Sequence, residues 1–170
     1  MKIEVDVSGA DIFHEDYAIC VSDCTGNIEG FKFSQDLIDE LKKNWEKGEY
    51  AKCPYSPNEG KFKVRIYRVV LRYLLKELFK KNKDNEVIVQ FCRDFPSHEK
   101  GISQSLTHRI VKIHKRNLKK IFCAKLPKSS DAHCYALMMH NDKYNHLTCY
   151  TNISLKDIEH GLVFHTNNNK

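Results

Sequence analysis

Glu86-Val87-Ile88-Val89-Gln90-Phe91-Cys92-Arg93-Asp94-Phe95-Pro96 is the stretch on which the fold turns. Val87, Ile88 and Val89, then Phe91 and Cys92, make a nearly continuous apolar run, the pattern of a central strand covered on both faces. Pro96 ends it, because proline has no N–H for a ladder and restricts the residue before it. Helical periodicity stands on either side. Upstream, Tyr67, Val70, Leu71, Leu74 and Leu78 recur at three- and four-residue steps and predict a long helix over roughly 62–81. Downstream, Ile102, Leu106, Ile110 and Ile113 mark a second amphipathic helix, and 120–126 reads as another buried strand. Strands joined through helices are expected to run parallel.

The N-terminal part alternates instead. Ile3, Val5 and Val7 fall on one face of a strand over 2–8, Glu4, Asp6 and Ser8 on the other, and Gly9 stops it. Strands at 17–22 and 28–33 flank Asp23-Cys24-Thr25-Gly26-Asn27, which is hairpin chemistry. Ser34 is placed to cap a helix carrying Leu37, Ile38, Leu41 and Trp45. Pro54, Pro57 and Gly60 make 49–61 a loop. After Pro127, Ser129-Ser130-Asp131 opens a helix containing Tyr135, Leu137, Met138 and Met139. An extended piece (147–153), a short helix capped by Ser154 and a frayed tail at 167–170 close the chain. The reading is a single α/β domain over 1–170, with 145–170 as a C-terminal extension. Its sheet is mixed, ordered 3-2-1-4-5, with strand two antiparallel to the rest.

Composition sets the bounds on function. With 41% hydrophobic and 29% charged residues the chain lies in the globular range, and no apolar run approaches the ~18 residues of a membrane span. The charged-apolar alternation of the first residues carries no export signal, so an intracellular, cytoplasmic protein is expected. The odd cysteine count, seven, argues against a disulfide framework. Cys20 and Cys24 are followed by no second close pair, so the cysteines read as reduced core thiols rather than a structural zinc site.

The net charge is +6, and its distribution matters more than its size. No acid occurs between Glu99 and Asp131, while nine Lys or Arg do, among them Arg109, Lys112, Lys115, Arg116 and Lys119. On the long helix Arg65, Arg68, Arg72 and Lys76 repeat at three- and four-residue steps. Fields of this kind attract polyanions, nucleic acid first, although a solvated basic face fits the charge alone equally well.

Three acids stand where the expected topology brings strand ends together. Asp6 lies at the carboxyl end of strand one, Asp94 just past that of strand four, and Asp131 at the start of the helix after strand five. Open α/β sheets bind ligands at this edge. Each acid alone is ordinary turn or helix-cap chemistry. Jointly placed, three carboxylates suit Mg²⁺ or Mn²⁺, which take oxygen donors. No glycine-rich phosphate loop is present to suggest nucleotide chemistry.

Val5-Asp6-Val7-Ser8-Gly9 on strand one, Phe91-Cys92-Arg93-Asp94 ending strand four and Asp131-Ala132-His133 opening the last core helix resemble the ribonuclease H-like (integrase and resolvase-type) nuclease superfamily. The Arg-Asp ending is similar to that of Piwi-type members. The resemblance covers about 1–140 by topology and three short stretches by residue. It implies metal ligation by Asp6 and Asp94, with Asp131 or His133 completing the site, and cleavage or rejoining of phosphodiesters with two Mg²⁺ or Mn²⁺ ions. The family also places a glutamate on the long helix before strand four. Here Val64-Arg65-Ile66-Tyr67-Arg68-Val69-Val70-Leu71-Arg72 holds no acid, which leaves Glu59, Glu40 and Glu99 as substitutes. The expected function is a metal-dependent nuclease or strand-transfer enzyme. The alternatives are a degenerate nucleic-acid-binding module of the same fold, or a scaffold that meets an acidic protein.

Overall fold

Five strands make one sheet: β1 (Lys2–Ser8), β2 (Ala18–Ser22), β3 (Ile28–Lys32), β4 (Glu86–Phe91) and β5 (Asn117–Cys123). The helices are α1 (Gln35–Glu46), α2 (Glu59–Lys81), α3 (Glu99–Thr107), α4 (Asp131–Asn141) and α5 (Leu155–Val163); α3 runs on into a π-helical stretch, His108–Ile113. These elements come from a computed structural model, which describes residues 1–14, 16–50 and 58–163. The strand order is β3-β2-β1-β4-β5, as expected. β2 is antiparallel to β1 and β3, and β1, β4 and β5 run parallel. Most of the loop expected over 49–61, with Cys53, and the tail at 167–170 lie outside the described residues.

The sheet sorts its side chains by alternation. Ile3, Val5, Ile19, Val21 and Phe31 face α2 and join its Ile66, Val70, Leu71 and Leu74 in the main core, all of them buried. Ala18, Cys20 and Ile28 face the other way and pack with Ala132, Ala136 and Met139 of α4 in a smaller core. At Gly30 a Cβ would stand 1.9 Å from Met139 Cε, so the bare backbone is what lets α4 lie close on β3. The outer edge of β3 is covered. Gly30 N–H donates to Cys149 O at 2.8 Å and its carbonyl accepts from Thr151 N–H at 2.7 Å, which removes an exposed ladder. Ile153, Ile158 and Leu162 are buried in the main core, so the C-terminal segment is integral to the packing.

Three expectations need correction. The fifth strand is Asn117–Cys123 rather than 120–126, and it is a half-exposed edge strand. β4 is covered on one face only at its start: Ile88 is 39% exposed, because α4 spans β1, β2 and β3 and stops short of β4 and β5. The long helix begins at Glu59, since the Asn58 side chain accepts from Lys61 N–H at 2.9 Å and caps its first turn. Among the described residues no helix is long and apolar enough to cross a membrane.

Candidate metal centre and basic surface

Two residues of α4 dock on two residues of β1, and the match sets up the site. Glu4 and Asp6 share a face of the strand, ~6.6 Å apart along it. Ser130 and His133 are three positions apart on the helix start, on neighbouring sides of one turn. Ser130 Oγ donates to Glu4 Oε2 at 2.6 Å and accepts from His133 N–H at 3.3 Å, so one hydroxyl caps α4 and pins it to β1. Burial alone would push the Glu4 carboxyl up, but hydrogen bonds from Lys2 and Ser130 hold it below its ordinary range. One turn further on, His133 Nδ1 lies 2.7 Å from Asp6 Oδ2. Toward an ionised carboxylate, which only accepts, Nδ1 is the donor of this bond and Nε2 points away from it. Asp6 is buried, at 6% exposure.

The parallel register brings in β4. Val5 pairs with Phe91, and Cys92 N–H donates to Val5 O at 3.1 Å. Cys92 therefore stands beside Asp6, on its side of the sheet, with Asp94 two residues on. One carboxylate oxygen each from Asp6 and Asp94 and the Cys92 sulfur all lie within 4.8 Å of one another. Burial is the largest influence on Asp94 and the negative charge of Asp6 adds to it, so its carboxyl titrates above the ordinary value despite a hydrogen bond from Cys92. The Cys92 thiol is pushed up by burial, then by the neighbouring carboxylates of Asp94 and Asp6. Two carboxylates and a sulfur gathered this closely fit a divalent cation, which offsets their mutual repulsion.

The third donor in the group is thus Cys92, and Asp131 is not in it. Asp131 is two positions from His133, about 200° round the helix, and its charge is felt by Cys20 and Cys24 instead. Nor does a substitute for the helix glutamate join the group among the described residues. Glu59 pairs with Lys63, Glu40 pairs with Lys43, and Glu99 opens α3 near Cys123. Beside Asp94 opens a cleft of about 260 Å³, lined also by Gly9, Tyr17, Lys63, Phe95 and His98. Gly9 turns there with φ +113°, where a Cβ would meet the Tyr17 backbone at 3.0 Å. At the start of α2 the cleft presents a cation, Lys63, tied to Asp11 at 2.9 Å and to Glu59.

The basic residues divide. Arg65 is buried and donates from Nη2 to Leu162 O at 2.6 Å, tying α2 to α5, so it is no part of a surface stripe. Arg116 is also a structural residue. Its guanidinium donates to the carbonyls of Lys83, Asp84, Asn82 and Phe79 at 2.7–3.3 Å and closes the turn between α2 and β4. Lys119 is exposed but paired with Glu86 at 2.8 Å. Lys112 and Lys115 are exposed. Arg68 and Arg72 of α2 come together with Arg109 of the π-helical stretch: Arg109 is held down to about 10 by burial and then by the charges of Arg72 and Arg68. The two basic features that are separate in sequence meet at this point. Val64 lines the cleft, and Arg68 and Arg72 follow it by one and two turns, ~6 and ~12 Å along α2.

The sequence matches no known protein-family model, and no curated protein matches it either.

Proposed function

We propose that the chain is a metal-dependent phosphodiesterase of ribonuclease H-like architecture that acts on nucleic acid. The observation that carries this reading is the convergence of Asp6, Asp94 and Cys92 within 4.8 Å, with His133 bound to Asp6. It lies at the carboxyl ends of two parallel strands, the edge where open α/β sheets place their ligands. Asp6 and Asp94 hold the cation, which when bound polarises the phosphodiester and lowers the pKa of its water. His133 orients Asp6 through Nδ1 and takes or gives a proton at Nε2. Arg68, Arg72 and Arg109 hold phosphates of the strand that leads away from the cleft along α2, and an anion among them relieves their mutual repulsion.

The test is cleavage of a panel of single-stranded, duplex, hybrid and branched DNA and RNA substrates by the purified chain with Mn²⁺, Mg²⁺ or Zn²⁺. Cleavage should stop with EDTA and in Asp6→Asn. Cleavage that survives Asp6→Asn places the activity elsewhere.

One observation favours a second, non-hydrolytic reading. No acid of α2 joins the group, and Lys63 occupies that end of the helix in the cleft. On this reading the same arginine surface binds nucleic acid and nothing is cut. Binding that weakens steeply with salt, with no product from any substrate and metal, is its signature.

A further inference from the structure

We propose that Cys92 is a metal ligand, and that this centre therefore selects a borderline-soft divalent cation of the zinc class over Mg²⁺. The proposal rests on reading Asp6 and Asp94 as cation ligands and adds the sulfur and its consequence.

Backbone pairing, not chance, puts the thiol there. Cys92 N–H donates to Val5 O at 3.1 Å, which continues the parallel ladder one residue past β4 and sets Cys92 level with Asp6. Alternation then aims its side chain at the face that carries Asp6, and Sγ lies within 4.8 Å of both carboxylates. An ion with oxygens at ~2.0–2.2 Å and sulfur at ~2.3 Å fits among atoms so spaced after small side-chain rotations. The other described thiols lack this setting. Cys123 Sγ is engaged with Cys92 O at 3.5 Å, Cys24 and Cys134 are exposed on the surface, Cys20 is buried in the smaller core under α4, and Cys149 packs against that core.

The donor set decides the metal. Mg²⁺ takes oxygen in near-ideal octahedra and keeps several waters, so a sulfur in its first shell is a poor ligand. Zn²⁺ and Co²⁺ accept sulfur, oxygen and imidazole nitrogen together in four-coordinate sites. Two carboxylates and a thiolate leave a fourth position for water or a phosphate oxygen. On binding, the S–H bond breaks, a sulfur–metal bond forms, and the proton passes to solvent. His133, which grips Asp6 Oδ2 at 2.7 Å, orients that ligand from outside.

The experiment is a Co²⁺ titration of the reduced, metal-free full chain, followed by absorption. A thiolate-to-cobalt charge-transfer band should grow and saturate at one equivalent. Cys92→Ser should abolish it and weaken Co²⁺ and Zn²⁺ by at least ~100-fold, the upper end of what outer-shell changes cost. Asp94→Asn, at an exposed position where folding is not at stake, should weaken Co²⁺ as well, and Cys123→Ser should change nothing. Mg²⁺ in large excess should not displace the ion. Co²⁺ bound without the band, unchanged affinity in Cys92→Ser, or ready displacement by Mg²⁺ overturns the sulfur ligand and leaves the two-aspartate centre standing. A band that forms with unchanged Co²⁺ affinity in Asp94→Asn puts the sulfur site elsewhere and also overturns the proposal. Absence of binding by any divalent ion to the parent chain overturns both readings.

Discussion

Replacing Asp94 by Asn should stabilise the metal-free protein, because the candidate site stores repulsion that only a cation relieves. The carboxylate oxygens of Asp6 and Asp94 are at most 4.8 Å apart. Two unit charges at that distance repel by about 0.9 kcal/mol in a water-like medium and about 3.5 kcal/mol at an effective dielectric of ~20. Asp94 is exposed while Asp6 is buried, so the lower half of that range applies, roughly 1–2 kcal/mol. The direction agrees with the raised Asp94 carboxyl: neighbouring chain strips solvent from its oxygens although the residue as a whole is exposed, and Asp6 adds to that. Asn keeps an oxygen to accept the Cys92 thiol hydrogen bond, so the substitution removes charge with little change of shape.

The assay is urea denaturation at pH 7 in EDTA, repeated with saturating Zn²⁺ or Mn²⁺. In EDTA the Asp94→Asn midpoint should rise above that of the parent. With metal the order should invert, since a ligand that binds only the native state stabilises it by RT ln(1 + [L]/Kd), about 2.7 kcal/mol at 100-fold saturation. The variant, short of one ligand, gains much less. An Asp94→Asn protein that is less stable than the parent in EDTA would show that the two acids do not repel. A parent unaffected by every metal would remove the cation from the account.

Asp23 gives the pH dependence. Its carboxylate accepts from Thr25 and Asn27, backbone and side chain, and from Asn82 Nδ2 at 2.8 Å. Burial works against the charged form, but hydrogen bonds led by those from Asn82 and Asn27 bring the carboxyl down from 3.8 to about 2. A depressed acid contributes stability that is complete above pH ~4–5 and lost as pH falls toward ~2, here about 2 kcal/mol at most after screening. Asp23→Asn should flatten that acid limb in pH-dependent denaturation, because its amide faces donors. Gly161→Ala should cost about 1–3 kcal/mol in urea, as the new methyl would stand 2.5 Å from Val69 Cγ1, and a Val69→Ala background should recover part of it. Arg116→Ala should lower stability by about 1–2 kcal/mol and leave nucleic-acid affinity unchanged, while Arg72→Ala should weaken binding and flatten its salt slope.

How much of this was legible in the sequence depends on which forces act locally. The strand order followed from two local features, short turns in the first third and helical crossovers later, and it needed no long-range knowledge. Coverage of β4 on both faces along its whole length did not follow. Val87-Ile88-Val89 is apolar throughout, but coverage depends on how far α4 reaches across the sheet, and α4 is held to β1 by Ser130 and stops short of β4. β5 was displaced by three residues for a related reason. Lys119 and Lys120 break the apolar pattern that marks a covered strand, and an edge strand with one open face tolerates them. The arginine stripe misled in the same way: helical spacing says which residues share a side, but not that α5 lies across the first of them and buries Arg65.

The site divides along the same line. The proximity of Asp6, Asp94 and His133 was readable because each ends or opens an element, and element ends collect at one edge of a parallel sheet. Asp131 stands apart from the group by helix geometry that the sequence already contained. Asp131 and His133 differ by two positions, so only one can face β1, and the Ser130 hydroxyl, which accepts from His133 N–H, settles which. Cys92 was the harder residue. Its run of apolar neighbours reads as core, and core cysteines are common. The signal that distinguishes it is register, because a parallel pairing of Val5 with Phe91 puts residue 92 level with residue 6 whatever its identity. The proposed donor set therefore turns on a pairing of two strands some 86 residues apart, and on the hydrogen bond from Cys92 N–H to Val5 O that extends it by one residue.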